Sequence, residues 1–301
     1  MKRFILLFSG IAVAACLGLI GLAWYGLEQW TRPKRRAHDK QPGDFNLPCE
    51  EVEFRSRKDG VRLRGWLIDP HPGPDGAGRR AVIFCHGHGG TCAPDLIYAP
   101  WFYERGVPVL MFDFRNHGLS EGTLTSMAFY ERDDLLGAVD FMASRGYPQV
   151  GLFGFSMGAA TAVATAPLSE RIMCVVADSP FAQLRPTLAR AIEQRGWPRW
   201  FALRLINLIF WMARIRLRCD LSEADPIRAV RRFDGRPLLI ILGQHDEYIE
   251  PWQAQWLFET ATDPKQLWLV PGVSHRDVDR FRPEEYYERV MGFFEKWLFA
   301  N

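Results

Sequence analysis

The chain has 301 residues, 48% of them hydrophobic and 24% charged, which excludes a disordered polymer and allows one large core or two smaller ones. A formal net charge of +2, with acids and bases interspersed over most of the length, argues against nucleic acid as a partner. Six cysteines occur with no CxxC pair and no dense spacing, so most read as small buried hydrophobes and no disulfide framework is expected.

Residues 4–27 form an uncharged, largely apolar run of 24 residues. As a helix it would be about 36 Å long, more than the hydrocarbon core of a bilayer. Residues 1–30 are therefore expected to be a single-pass membrane anchor. A cleaved signal is the competing reading, because Met1-Lys2-Arg3 begins like one and Val13-Ala14-Ala15-Cys16 resembles a bacterial lipoprotein box. The run continues past Cys16, which counts against cleavage there. Two basic residues precede it, whereas Arg32, Lys34, Arg35, Arg36 and Lys40 follow, a bias that favours the folded domain on the cytoplasmic side. Residues 31–47, rich in Pro, Lys, Arg and Asp, read as a solvated linker, and the domain is expected to occupy residues 48–301.

Alternating patterns on either side of Lys58-Asp59-Gly60 predict a hairpin. From there, short apolar runs (AVIFC, VPVLMFDF, VGLFGF, IMCVVAD, PLLIIL and QLWLV) are separated mostly by helix-length stretches. That rhythm predicts an α/β fold, a mostly parallel, doubly wound sheet covered on both faces. Residues 131–146 show helical spacing and close on a glycine; the last helix opens at Pro283 with acidic residues in its first turn. Residues 182–232 contain no strand-like run, and 11 arginines there face 4 acidic residues. They read as a helical lid. From Trp200 onward, Arg204, Asn207, Arg214 and Arg218 share roughly one helix face and leave a wide apolar surface, either packed on the domain beneath or also touching lipid at an interface.

The stretch VGLFGFSMGAA sets a single serine, Ser156, between Gly154 and Gly158 where a strand should turn into a helix. A tight turn there lifts a hydroxyl clear of the backbone, and flanking glycines let strand and helix approach without Cβ clashes. Partners must follow in the order serine, acid, histidine. Asp246 follows the run RPLLIILG and His275 follows KQLWLVPG, both just past strand ends, where a doubly wound sheet gathers its site. Asp246 would orient the imidazole of His275, which would take the Ser156 proton and return it to the leaving group. Read singly, Asp246 is a turn residue and His275 a loop histidine; their order and placement favour the joint reading. In FCHGHGGT, the backbone N–H of His88, together with that of Met157 at a helix start, would form an oxyanion hole. His86, His88 and His117 invite a metal, but glycines fill the gaps where further ligands belong, so no metal and no cofactor are expected and His86 is assigned to ordering the loop. DFRNHGLSEG, residues 113–122, reads as a tight hydrogen-bonded loop without chemistry.

The words HGHGG, DFRNHGLS, GFSMG, GQHDEYI and GVSH resemble the α/β-hydrolase superfamily from about Glu51 to the end, within its esterase and serine-peptidase-like group. The anchor and lid are similar to membrane-associated members. The resemblance implies the α/β-hydrolase fold with Ser156, Asp246 and His275 as catalytic residues. One departure is Arg276, which would either lower the basicity of His275 or recruit an anionic substrate group. The expected function is a membrane-tethered serine hydrolase cleaving small-molecule or lipid-like acyl esters through an acyl-enzyme. A thioesterase of the depalmitoylase kind or a serine aminopeptidase would use the same residues; a non-catalytic membrane-bound scaffold is the alternative of another class.

Overall fold

The computed structural model describes residues 2–71 and 80–300. Its centre is an eight-stranded sheet: β1 (Glu50–Arg55), β2 (Arg62–Ile68), β3 (Arg80–Cys85), β4 (Val109–Phe112), β5 (Gln149–Phe155), β6 (Ile172–Asp178), β7 (Leu238–Gly243) and β8 (Lys265–Val270). Their spatial order is β1-β2-β4-β3-β5-β6-β7-β8. β1 and β2 form the hairpin expected around Gly60, with Arg55 opposite Arg62, and β2 is antiparallel to β4; every other pairing is parallel.

Among the described residues ten α-helices accompany the sheet: α1 (Lys2–Thr31), α2 (Ala99–Tyr103), α3 (Glu131–Ser144), α4 (Met157–Thr165), α5 (Leu184–Glu193), α6 (Arg199–Leu217), α7 (Pro226–Val230), α8 (Pro251–Thr260), α9 (Val278–Phe281) and α10 (Pro283–Phe294). Successive strand residues feed two separate cores. In β5, Val150 and Leu152 join one with α3, α4 and the 182–232 helices, while Phe153 and Phe155 join the other with α2 and α10. Both sheet faces are thus covered, which is why the central strands read as unbroken apolar runs. The strand order reverses between β3 and β5, so the loops after those strands, with those after β6, β7 and β8, converge at the carboxyl edge.

The amino-terminal segment departs from expectation. Among the described residues no helix is long and apolar enough to cross a membrane, so the single-pass anchor over residues 1–30, and with it a membrane partner through that helix and a cytoplasmic side for the domain, is corrected. The physical reason lies in the second half of α1. Ala23, Leu27 and Thr31 are buried, and a Cβ on Gly26 would come within 3.1 Å of Ile209 on α6. Glu28 lies 3.7 Å from Arg216 of α6. The last turns of α1 are therefore packed into the domain and leave fewer apolar residues than the ~20 a span requires. Beyond α1, Arg35 donates to the carbonyls of Ser120 (2.6 Å) and Gly122 (2.6 Å), which seats this stretch along the loop after β4.

Candidate active site

Between β5 and α4 the chain turns through Ser156 alone, at φ 53° and ψ −115°. The turn is tight enough that its glycines are obligatory. A Cβ on Gly158 would lie 1.9 Å from the Cys85 carbonyl oxygen, and one on Gly154 would lie 2.6 Å from the Ala159 Cα. The Ser156 N–H donates to the Asp178 carbonyl at 2.8 Å, which fastens the turn to the end of β6.

The structure brings Ser156, His275 and Asp246 together from the ends of β5, β8 and β7. Ser156 Oγ is 3.0 Å from His275 Nε2, and His275 Nδ1 is 2.6 Å from Asp246 Oδ2. A carboxylate only accepts, so Nδ1 carries the hydrogen and the Nε2 lone pair faces the serine. Asp246 Oδ1 accepts the N–H groups of Tyr248 (2.9 Å) and Ile249 (2.8 Å), which fixes the carboxylate's orientation. Glu247, to which sequence reasoning gave no part, accepts the His275 N–H at 3.2 Å. Its only signal was its place in GQHDEYI.

Arg276 is held by an acid and an aromatic ring. Its guanidinium donates to Asp95 Oδ1 at 2.8 Å and stacks 4.2 Å above the Phe155 ring, beneath the serine turn rather than in the cavity. Burial alone would pull its pKa down, but Asp95 and Asp178 outweigh burial and hold it above the ordinary value.

Ser156 and His275 open into a cavity of about 350 Å³, whose walls include Trp30, His88, Met127, Met157, Phe181 and Leu188. Met157 is the first residue of α4, so its N–H has no intrahelical acceptor. A Cβ on Gly87 would lie 3.5 Å from the Ser156 Cβ, which sets the glycine loop against the serine. Met127, at φ 57°, is held by a device the sequence did not reveal. The buried Glu131 carboxylate accepts from Thr125 Oγ1 (2.6 Å), Ser126 Oγ (2.7 Å) and the N–H groups of Ser126 (2.9 Å) and Ala128 (2.8 Å).

The three imidazoles of the loops after β3 and β4 hold backbone. His86 Nδ1–H donates to the Gly87 carbonyl (2.7 Å) and its Nε2 accepts from the Phe114 N–H (2.9 Å). His117 Nδ1–H donates to the Arg115 carbonyl (2.9 Å) and its Nε2 accepts from the Gly89 N–H (3.0 Å). His88 Nε2–H donates to the Trp30 carbonyl at 2.8 Å. Burial lowers the pKa of all three, that of His117 to about 3 with His86 adding to the effect, so the neutral rings can accept and donate as described. Another trio of possible ligands, His38, Cys92 and Asp113, lies within 4.8 Å of one another. However, Asp113 already accepts from the N–H groups of Cys92 (3.0 Å) and Leu119 (2.9 Å) and from His38 (2.7 Å). Burial opposes ionisation there, yet the bond from His38 and the nearby His86 hold Asp113 down at about 2. Its oxygens are committed to the loop.

Comparison with known proteins gives a consistent picture. A model described as the alpha/beta hydrolase family matches residues 82–289. The chain is 31% identical over 259 residues to the uncharacterized protein YfhR of Escherichia coli, covering 84% of this chain and 82% of that one. It is 30% identical over 224 residues to YqkD of Bacillus subtilis, also uncharacterized, covering 72% and 70%. Among solved structures, the esterase Pf2001 of Pyrococcus furiosus superposes with a TM-score of 0.73 at 26% identity, over 89% of this chain and 98% of that one.

Proposed function

The chain belongs to the alpha/beta hydrolase family, and on that premise we propose that it is a serine hydrolase cleaving carboxylic esters of acyl chains, with Ser156 as nucleophile, His275 as general base and acid, and Asp246 as the group that orients and charge-stabilises the imidazole. The observation that carries this reading is the continuous relay from Ser156 Oγ through His275 to Asp246, at 3.0 and 2.6 Å, opening on a cavity with apolar walls beside Thr187 and Arg195. The likeness to an esterase structure supports the same bond type.

In the proposed cycle, His275 Nε2 takes the hydroxyl proton as Ser156 Oγ attacks the ester carbonyl. The N–H groups of His88 and Met157 receive the oxyanion; one such donor is typically worth about 10²-fold or more in rate. His275 then protonates the leaving alcohol, an acyl-enzyme remains on Ser156, and a water activated by the same imidazole releases the acid. Met127, Met157, Phe181 and Leu188 offer apolar walls to an acyl group.

A fluorophosphonate probe and a panel of esters, thioesters and aminoacyl amides test the reading. Wild type should label, Ser156→Ala should not, and esters should turn over fastest. A folded wild type that does not label sinks the serine mechanism, and turnover confined to the amides sinks the ester assignment.

A further inference from the structure

We propose that the carboxyl end of α1 is a working part of this site, with the Trp30 carbonyl holding the oxyanion loop through the His88 imidazole and the Trp30 indole forming a wall of the acyl cavity. The inference rests on the serine-hydrolase reading above and deepens it. Three sets of contacts carry it.

The last carbonyls of a helix have no intrahelical donors. The last two in α1 are satisfied from the loops around the site: Trp30 C=O accepts from His88 Nε2–H at 2.8 Å, and Thr31 C=O accepts from the Thr125 N–H at 2.8 Å. The loops that carry His88 and Met127 therefore cap α1, and α1 in turn pins those loops. His88 is half-buried, and an imidazole deprived of the Trp30 carbonyl would lose the one bond that ties it to α1.

The second contact is lateral. Trp30 is among the residues lining the cavity with Ser156 and His275, and it is contributed not by a strand-end loop but by the helix that precedes the sheet. The third is to the 182–232 helices. Gly26 packs against Ile209, and Arg216 of α6 sits 3.7 Å from Glu28 and 6.0 Å from the Trp24 ring. α1 thus touches α6 on one side and the glycine loop on the other. His88 N–H is proposed to meet the reacting oxygen, whereas its imidazole and the Trp30 carbonyl act through the loop, as positioning groups.

Four full-length variants test this with acetyl and octanoyl p-nitrophenyl esters, alongside fluorophosphonate labelling and thermal unfolding. His88→Ala should lower kcat on both esters by about 10- to 100-fold with KM changed less than about threefold, because a loosened donor misses the oxyanion more than it weakens substrate binding. His88→Gln, whose amide can donate to the same carbonyl, should recover at least half of that loss on a logarithmic scale. Trp30→Ala should lower the octanoyl-to-acetyl ratio of kcat/KM by about tenfold, the worth of one or two methylenes left without a wall. Trp30→Phe should fall between Trp30→Ala and wild type, and keeps the test open if the alanine variant does not fold. An unmoved ratio in both Trp30 variants, or a His88→Ala kcat within twofold of wild type, overturns the inference while the parent enzyme still labels and turns over esters. A wild type that does neither overturns the parent reading, and this inference with it.

Discussion

Replacing Gly158 by alanine puts the geometry of the serine turn to a direct test. The added Cβ would sit 1.9 Å from the Cys85 carbonyl oxygen, 2.4 Å from its carbon and 2.6 Å from the His86 oxygen. All three are backbone atoms, so no rotamer can relieve the clash. Restoring an ordinary contact of about 3.5 Å needs roughly 1.5 Å of relative movement between α4 and the end of β3. Overpacking of that kind costs about 3 kcal/mol, and displacing a nucleophile from its partners by ~1 Å costs on the order of 10²-fold in rate. Urea unfolding monitored by tryptophan fluorescence, together with the second-order rate of fluorophosphonate labelling, reads both effects. Gly292→Ala is the matched control. It lies within α10 with nothing within 4 Å of the new methyl, and should gain about 0.5–1 kcal/mol. A Gly158→Ala protein with an unchanged midpoint and labelling rate would refute the reasoning, because it would mean that strand and helix do not approach as described.

Asp246→Asn should lower kcat by about 10⁴-fold with little change in unfolding midpoint, since an amide oxygen can still accept from Tyr248 and Ile249 while the imidazole loses its orienting charge; a loss below tenfold would remove Asp246 from the relay. Burial depresses His117 to about 3 against an unfolded value near 6.5, so below pH 6.5 the unfolded chain binds a proton that the folded one refuses, and stability falls as pH drops. From pH 8 to 5 this amounts to about 2 kcal/mol. Burial lifts Asp134 and Asp225 to about 6, which works in the opposite direction below pH 6, so the His117 contribution is read as the wild-type minus His117→Gln difference; a difference that stays flat with pH would contradict it. In native protein, an aromatic disulfide reagent should titrate Cys16 and Cys49 rapidly and reach Cys85, Cys92, Cys174 and Cys219 only on denaturation; a third fast thiol would show that one of the buried positions is open.

How far the sequence reaches depends on whether a residue's environment leaves a local mark. Strands buried on both faces do, and so AVIFC, VGLFGF and PLLIIL each coincide with a strand of the parallel sheet. Residues 131–146 do as well, because α3 shows its buried face at helical spacing. A uniformly apolar segment leaves none: in residues 4–27 nothing distinguishes Ala23 and Leu27, which enter the domain, from Leu17 and Ile20, which stay exposed, and length alone suggested a bilayer. Polar loops are ambiguous in the same manner. Arg115 sat in a turn-forming word, yet it is buried between Asp134 (2.6 Å) and Asp59 (2.7 Å). Ser156, Asp246 and His275 were legible because each sits just after a strand; Trp30 and Glu131 were not, because no short motif records a helix end or a buried carboxylate meeting a distant loop.

At 53° and −115°, Ser156 occupies backbone territory where a side chain is unwelcome, a discomfort usually reckoned at about 1–3 kcal/mol. On the proposed mechanism, that fragility falls on the residue assigned the attack on substrate. Ser156→Gly, tolerant of that backbone, should therefore melt later than the wild type while reacting with nothing, so a screen for thermal robustness alone would drift toward inert proteins by way of this position.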